Sequence, residues 1–252
     1  MKLRPLVLCY HAISDDWSDV LAVRLDAFER QLEQILARGY RPVGTAEAAT
    51  ATGKLVHVTF DDAFQSVTRA LPVLQRLGVP ATVFACPGFA DGDRMFAVSR
   101  HAEQLPENAD HLVTMGWSEL RQLAGEGVEI GSHTLTHPHL TALDDHELHR
   151  ELRESRQRLE DELGASCRFL AYPFGDQDER VRRAARVSGY AAAFALPGRQ
   201  APPDLDLYAV PRVGIWREEG PMRVRVKTSA AGRRWLFDPL SAARERWPAL
   251  TR

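Results

Sequence analysis

Cysteine is scarce and odd in number: Cys9, Cys86 and Cys167 are the three in 252 residues, far apart and each among apolar neighbours. Such a set builds neither a disulfide framework nor a cysteine zinc cluster. It suits buried thiols on strands in a reducing compartment. Long hydrophobic runs are missing as well. No stretch has the roughly 18–20 apolar residues that span a bilayer, and the run from Leu6 to Tyr10 is too short for a signal-peptide core. Both absences lead us to expect a cytoplasmic protein with no membrane span. Charge of one sign never accumulates either: 32 Lys and Arg against 34 Asp and Glu leave a net charge of −2. The Arg-rich C-terminal tail is too weakly basic to alter that, so nucleic acid is not an expected partner. Internal repeats and low-complexity segments are absent, and no pattern specifies an oligomeric state.

What the chain does have is alternation. Its length suits one α/β domain with a sizeable core. Leu6 to Tyr10 is an apolar run of the kind buried in parallel sheets, and His11 stands just past its end. Leu25, Phe28, Leu32, Ile35 and Leu36 fall on one stripe of a helix that Gly39 can stop. Strand 55–60, helix 67–77 with Pro72 near its start and Gly78 at its end, and strand 79–85 follow. Residues 87 to 116 lose periodicity and read as a long excursion, often a functional feature in a compact domain. Helix 117–124 and strand 128–130 resume the pattern. The clearest helix is 144–163, with a capping-box pair Asp144 and Glu147, a Leu148, Leu152, Leu159 and Leu163 stripe, and Gly164 to close it. Strand 167–172, helix 178–187 and strands 190–194 and 208–213 complete a pattern that predicts a parallel (β/α) barrel with its site at the C-terminal rim. We divide the chain into a barrel over 1–228 and an extension over 229–252, a loop and helix packed on the barrel.

Chemistry concentrates where strands end. The run Leu55-Val56-His57-Val58-Thr59-Phe60 stops in Asp61 and Asp62, two adjacent carboxylates that resist burial unless a cation or a proton accompanies them. They would also suit a helix N-terminus. His133 and His137, in Gly131-Ser132-His133-Thr134-Leu135-Thr136-His137, are four apart and would share one face of a single helical turn. As a spaced pair after a strand they read as ligands rather than as surface histidines. One Asp and two His make three ligands with coordination positions to spare, a set that also serves non-haem iron oxygenases. The second carboxylate, placed as a general base, and the α/β alternation favour a hydrolase over that reading. His57 reads as a core histidine, His139 as a supporting one, and His146 and His149 as solvated; His101 and His111 carry no signal.

Thr59-Phe60-Asp61-Asp62, His133-Thr134-Leu135-Thr136-His137 and Ala171-Tyr172-Pro173-Phe174-Gly175, in that order, resemble the polysaccharide deacetylase family, also called carbohydrate esterase family 4 or the NodB-homology domain. The resemblance covers roughly residues 3 to 228. It implies an irregular barrel of about seven units in a single domain, and a metal-dependent hydrolase that removes N-acetyl groups from a glycan, or from a lipid-linked or nucleotide-linked sugar precursor. It assigns Asp62, His133 and His137 to a divalent metal, with zinc the first choice for three N/O ligands. Asp61 becomes the base, and the backbone N–H of Phe174 a donor to the oxyanion.

Two positions depart from the family pattern. An arginine that usually opens the third motif and orients the catalytic Asp is replaced by Ala171, and Arg212, in Val210-Pro211-Arg212-Val213, is a candidate substitute. The late Leu-x-His motif that usually supplies the acid is here Val224-Arg225-Val226-Lys227. Lysine, with an ordinary pKa of about 10.4, is a poor donor at neutral pH. His11, in a Tyr-His pair like that of the biofilm poly-N-acetylglucosamine deacetylases, is the other candidate, with an imidazole pKa of about 6.5. These departures keep two alternatives open: a non-catalytic glycan-binding relative, and a hydrolase of a non-sugar C–N bond.

Overall fold

A computed structural model describes residues 3–91, 109–197 and 206–236. Its strands in chain order are β1 (Leu6–Tyr10), β2 (Ala12–Ile13), β3 (Ala22–Val23), β4 (Arg41–Pro42), β5 (Leu55–Phe60), β6 (Ala81–Ala85), β7 (Glu129–Ser132), β8 (Phe169–Ala171), β9 (Ala192–Ala195), β10 (Val210–Pro211) and β11 (Val213–Gly214). Eight of them run in the order β10-β9-β8-β7-β6-β5-β1-β11, every pairing parallel. β4 joins the lower part of β5, and β2 and β3 form a small separate pair. The two ends of that order, β10 and β11, are one strand interrupted at Arg212: its first half pairs with β9 and its second with β1, which nearly closes the sheet into a barrel.

The helices are α1 (Leu25–Ala37), α2 (Thr45–Thr50), α3 (Leu71–Leu77), α4 (Trp117–Gly125), α5 (Asp145–Leu163), α6 (Glu179–Val187), α7 (Pro221–Lys227) and α8 (Ala230–Leu236). Strand periodicity divides the side chains between two layers. Leu6, Leu8 and Tyr10 on β1 and Val56, Val58 and Phe60 on β5 join the large outer core with Phe28, Leu32, Leu152 and Leu159 from the helices. Val7, Leu55, Phe84, Phe169 and Phe194 fill a smaller inner core. The alternate positions of β5 turn polar toward the rim: His57, Thr59 and then Asp61, all buried. His57 is the core histidine the sequence predicts, with Nδ1 2.8 Å from the Val43 carbonyl and Nε2 2.8 Å from the Thr82 hydroxyl.

Predicted and observed boundaries differ where turn chemistry intervenes. The Gly78 cap is left-handed and the Val79 N–H returns to Leu74, so β6 begins at Ala81 rather than at 79. The helix expected over 67–77 opens as a 3₁₀ segment over Gln65–Ala70 before α3 takes over. In α5, Asp144 accepts the Glu147 N–H at 2.8 Å and Gly164 closes the helix at φ 64°. Residues 92–108, the middle of the excursion, with His101, lie outside the described residues. So do residues 237–252 of the extension. Its described part, α8, is fastened at the N-terminal end of the barrel, where buried Arg233 donates to the Arg4 and Pro5 carbonyls at 2.7 and 3.1 Å. Among the described residues no helix is long and apolar enough to cross a membrane.

Candidate active site

The C-terminal ends of five barrel strands converge. His11 follows β1, Asp61 and Asp62 follow β5, His133 follows β7, Phe174 follows β8, and Arg212 sits between β10 and β11. Asp62 Oδ1 lies 3.5 Å from His133 Nε2 and 3.4 Å from His137 Nε2, and all three side chains are nearly or fully enclosed. His133 Nδ1 is 2.8 Å from the Ala171 carbonyl, which can only accept, so Nδ1 carries the ring proton and the bare Nε2 faces the carboxylate. Burial lowers the pKa of both imidazoles, that of His137 well below its ordinary value, so they are neutral and these contacts are not ion pairs. A carboxylate oxygen and an unprotonated ring nitrogen at 3.5 Å repel each other unless a cation lies between them. The donor set is therefore a possible metal site: one carboxylate oxygen and two imidazole nitrogens within reach of a common centre.

Asp61 is held differently. Arg212 Nη1 donates to its Oδ1 at 2.6 Å and Nη2 to its Oδ2 at 2.8 Å, a two-pronged pair between fully buried partners. Arg212 Nη1 also donates to the Thr59 hydroxyl at 3.1 Å, and the guanidinium lies 5.5 Å over the Phe84 ring. Burial alone would raise the Asp61 pKa; the Arg212 guanidinium overrides it and holds the carboxyl below the usual range. The guanidinium is in turn driven upward by Asp61 against its own desolvation. Arg212 points inward because it shares strand parity with Val210 of the inner core, while Val213 and Ile215 belong to the outer one. Its backbone N–H goes to the Ala195 carbonyl at 2.9 Å, so the interruption between β10 and β11 loses no hydrogen bond at that point.

The two histidines do not share a helical turn. After Ser132 the chain enters a loop in which Thr134 and His137 both take left-handed backbone, φ 68° and 61°. No helix can hold such residues. The loop is shaped by hydrogen bonds: Ser132 Oγ accepts the Thr134 N–H, Thr134 Oγ1 accepts the His137 N–H, and the Glu151 carboxylate of α5 accepts from Leu135 and Thr136. Asp62, Ala63 and Phe174 are also left-handed, so every non-glycine residue of that conformation among the described residues lies in a turn beside the site. Each costs on the order of 1–3 kcal/mol, a cost tolerated where the surroundings dictate the backbone.

His11 stands beside Asp61 and Cys9, with ligand-type atoms of the three within 4.8 Å of one another, and stacks on Trp216 with ring centroids 5.3 Å apart. Phe174 packs its ring on His137 at 4.6 Å and on His139 at 4.1 Å, and His139 reaches toward Asp176. His146 is exposed, and His111 stacks on Trp17. Lys227 is committed elsewhere: it ends helix α7 and donates to Glu219 at 2.7 Å. A helix, and not a strand end, occupies the stretch of the late motif. Glu151, Cys9 and Trp216 escape the sequence reading. Of the three only Cys9 has a signal, two positions before His11 and hence on the same face of β1.

The model of the polysaccharide deacetylase family matches residues 48–193. The chain belongs to the polysaccharide deacetylase family. The match takes in Asp61, Asp62, His133, His137 and Phe174 but stops short of His11 and Arg212. YxkH of Bacillus subtilis, named for the same family, is 27% identical over 217 residues, which is 83% of this chain and 70% of that protein. A chitooligosaccharide deacetylase of Sinorhizobium fredii is 26% identical over 140 residues, 54% of each. Among solved structures, BC0361, a polysaccharide deacetylase from Bacillus cereus, superposes with a TM-score of 0.72 over 90% of this chain and 70% of that one at 23% identity, a likeness of fold. The nearly closed barrel of this deacetylase family member, with the strand over 210–214 as its last stave, is the single-domain architecture the motifs imply.

Proposed function

We propose that this protein is a metal-dependent hydrolase that removes N-acetyl groups from an amino-sugar-containing glycan or glycan precursor. The observation that carries the reading is the buried meeting of Asp62 with the imidazoles of His133 and His137 while Asp61, next in sequence, is held apart by Arg212. Chitooligosaccharide deacetylases among the relatives favour an N-acetylated sugar as substrate.

Asp62, His133 and His137 would hold the ion, and zinc suits this donor set. When bound, such an ion supplies Lewis acidity, acidifying water and polarising a carbonyl oxygen. Asp61 takes the proton from the attacking water. Arg212 keeps that carboxylate ionised throughout the neutral range, which makes it a weak base that is always available. The Phe174 backbone N–H is proposed as a donor to the oxyanion that forms at the acetamide carbon. His11 gives a proton to the departing amine, and its stacking on Trp216 holds the ring at the rim. The missing motif arginine, which left room for a non-catalytic relative, has a stand-in in Arg212 with both prongs on Asp61.

The test is acetate release by the zinc-loaded protein from N-acetylglucosamine oligomers and lipid-linked amino sugars. Release from any of them supports the reading, and none from either class with metal bound overturns it. His11→Ala is expected to lower kcat by about 10²–10⁴-fold with unchanged metal content. An unaltered rate would remove His11 from the mechanism.

A further inference from the structure

The loop that carries His133 and His137 is clamped from two sides, and neither clamp belongs to the ligand set. From below, α5 sends up Glu151, a carboxylate 2% exposed in the middle of a helix. Its Oε2 accepts the Leu135 and Thr136 N–H groups, both at 2.9 Å, and its Oε1 accepts the Thr136 hydroxyl at 2.7 Å. Successive backbone N–H groups converging on one oxygen form an anion nest, here filled by the protein's own side chain. From the other side the Gly88 N–H donates to the Leu135 carbonyl at 2.9 Å. A Cβ on Gly88 would lie 2.5 Å from that same carbonyl oxygen.

A charged residue on the buried face of a helix is costly unless its lone pairs are met. The nearest cation, Arg150, is half-exposed and 3.8 Å away, so the loop itself provides the compensation. Packing alone would put a leucine at this position, as at Leu148, Leu152 and Leu159 on the same stripe. Cause and consequence run through the backbone: tying down Leu135 and Thr136 fixes the span between left-handed Thr134 and left-handed His137, and hence the separation of the two imidazoles.

We propose that Glu151 is a positioning residue, which sets the distance between His133 and His137 and thereby the affinity of the site for its metal. The inference rests on the metal reading given above. Reach, more than charge, is what the geometry requires. Glutamine can turn its amide oxygen to the two N–H groups, and the Thr136 hydroxyl can reverse to accept from the amide. Aspartate keeps the charge but retracts by a methylene and loses the nest.

The experiment is zinc affinity measured by chelator competition on the full chain, with folding followed by circular dichroism. Glu151→Ala and Glu151→Asp are expected to weaken zinc binding by about 10–100-fold, and Glu151→Gln by less than about tenfold. Gly88→Ala, which pushes the loop from its other side, should weaken binding as well. Leu159→Ala, a cavity in the same helix, should lower the melting temperature without changing zinc affinity. Should the Ala variant fail to fold, Asp and Gln carry the comparison. Zinc bound by Glu151→Asp as tightly as by wild type, or Leu159→Ala weakening it as much, would overturn the assignment. Wild type binding no zinc would instead defeat the metal reading itself.

Discussion

Asp61→Asn is expected to lower kcat by about 10²–10⁴-fold while the zinc content of the protein stays at the wild-type level. The amide cannot accept the proton that the carboxylate takes from water, and the ligands, Asp62, His133 and His137, are untouched. A second effect accompanies the first. The substitution removes the counter-charge of Arg212, whose guanidinium is fully buried, and stranding one member of a buried pair costs about 3–5 kcal/mol. Loss of turnover through unfolding and through lost base chemistry must be told apart. The double variant Asp61→Asn with Arg212→Met separates them: with no buried charge left stranded it should recover part of the stability, yet remain as inactive as the single variant. Near-full activity in Asp61→Asn would remove Asp61 as the base.

Arg212→Met is the second large effect, and it has a pH signature. At neutral pH the variant leaves the Asp61 carboxylate buried beside Asp62 with no guanidinium, so we expect a loss of about 3–5 kcal/mol in urea denaturation of the metal-free protein. In the wild type, Asp61 has a folded-state pKa below its unfolded value of about 3.9, so its stabilising contribution is complete above that value and lost as pH falls through the folded pKa. In the variant the sign reverses. Burial without the guanidinium raises the Asp61 pKa, so the penalty is present at neutral pH and relieved as the carboxyl gains a proton on acidification. The gap between the two proteins should therefore narrow from pH 7 toward pH 4.5. A gap that stays constant, or that is absent at pH 7, would mean that the short Arg212–Asp61 contacts do not carry the energy assigned to them.

The parts of this architecture written in local patterns were legible. The apolar run of β5 stops in Asp61 and Asp62, His11 stands just past the end of β1, and capping residues mark α5 at both ends. Adjacent carboxylates at a strand tip pointed to a cation because their cost of burial does not depend on distant parts of the chain. What resisted reading depends on contacts distant in sequence or on unusual backbone. Five left-handed residues that are not glycine shape the turns of the site, and no propensity predicts Asp62, His137 or Phe174 in that conformation. The spacing of His133 and His137 therefore suggested a helical turn where there is a loop. Glu151 looked like one more polar residue of a charged helix, since its partners lie 15 and 16 residues earlier in the chain. Arg212 was noticed for its place after a strand, but only closure of the barrel, 151 residues after Asp61, brings the two together.

Metal content decides most directly whether this rim is a hydrolytic centre. Elemental analysis of the purified wild-type protein after zinc loading and desalting should give one ion per chain. The Asp62→Ala and His133→Ala variants, shown to be folded, should give none, while Asp61→Asn retains it. Wild type without a stoichiometric ion, or folded variants that keep theirs, would contradict the account.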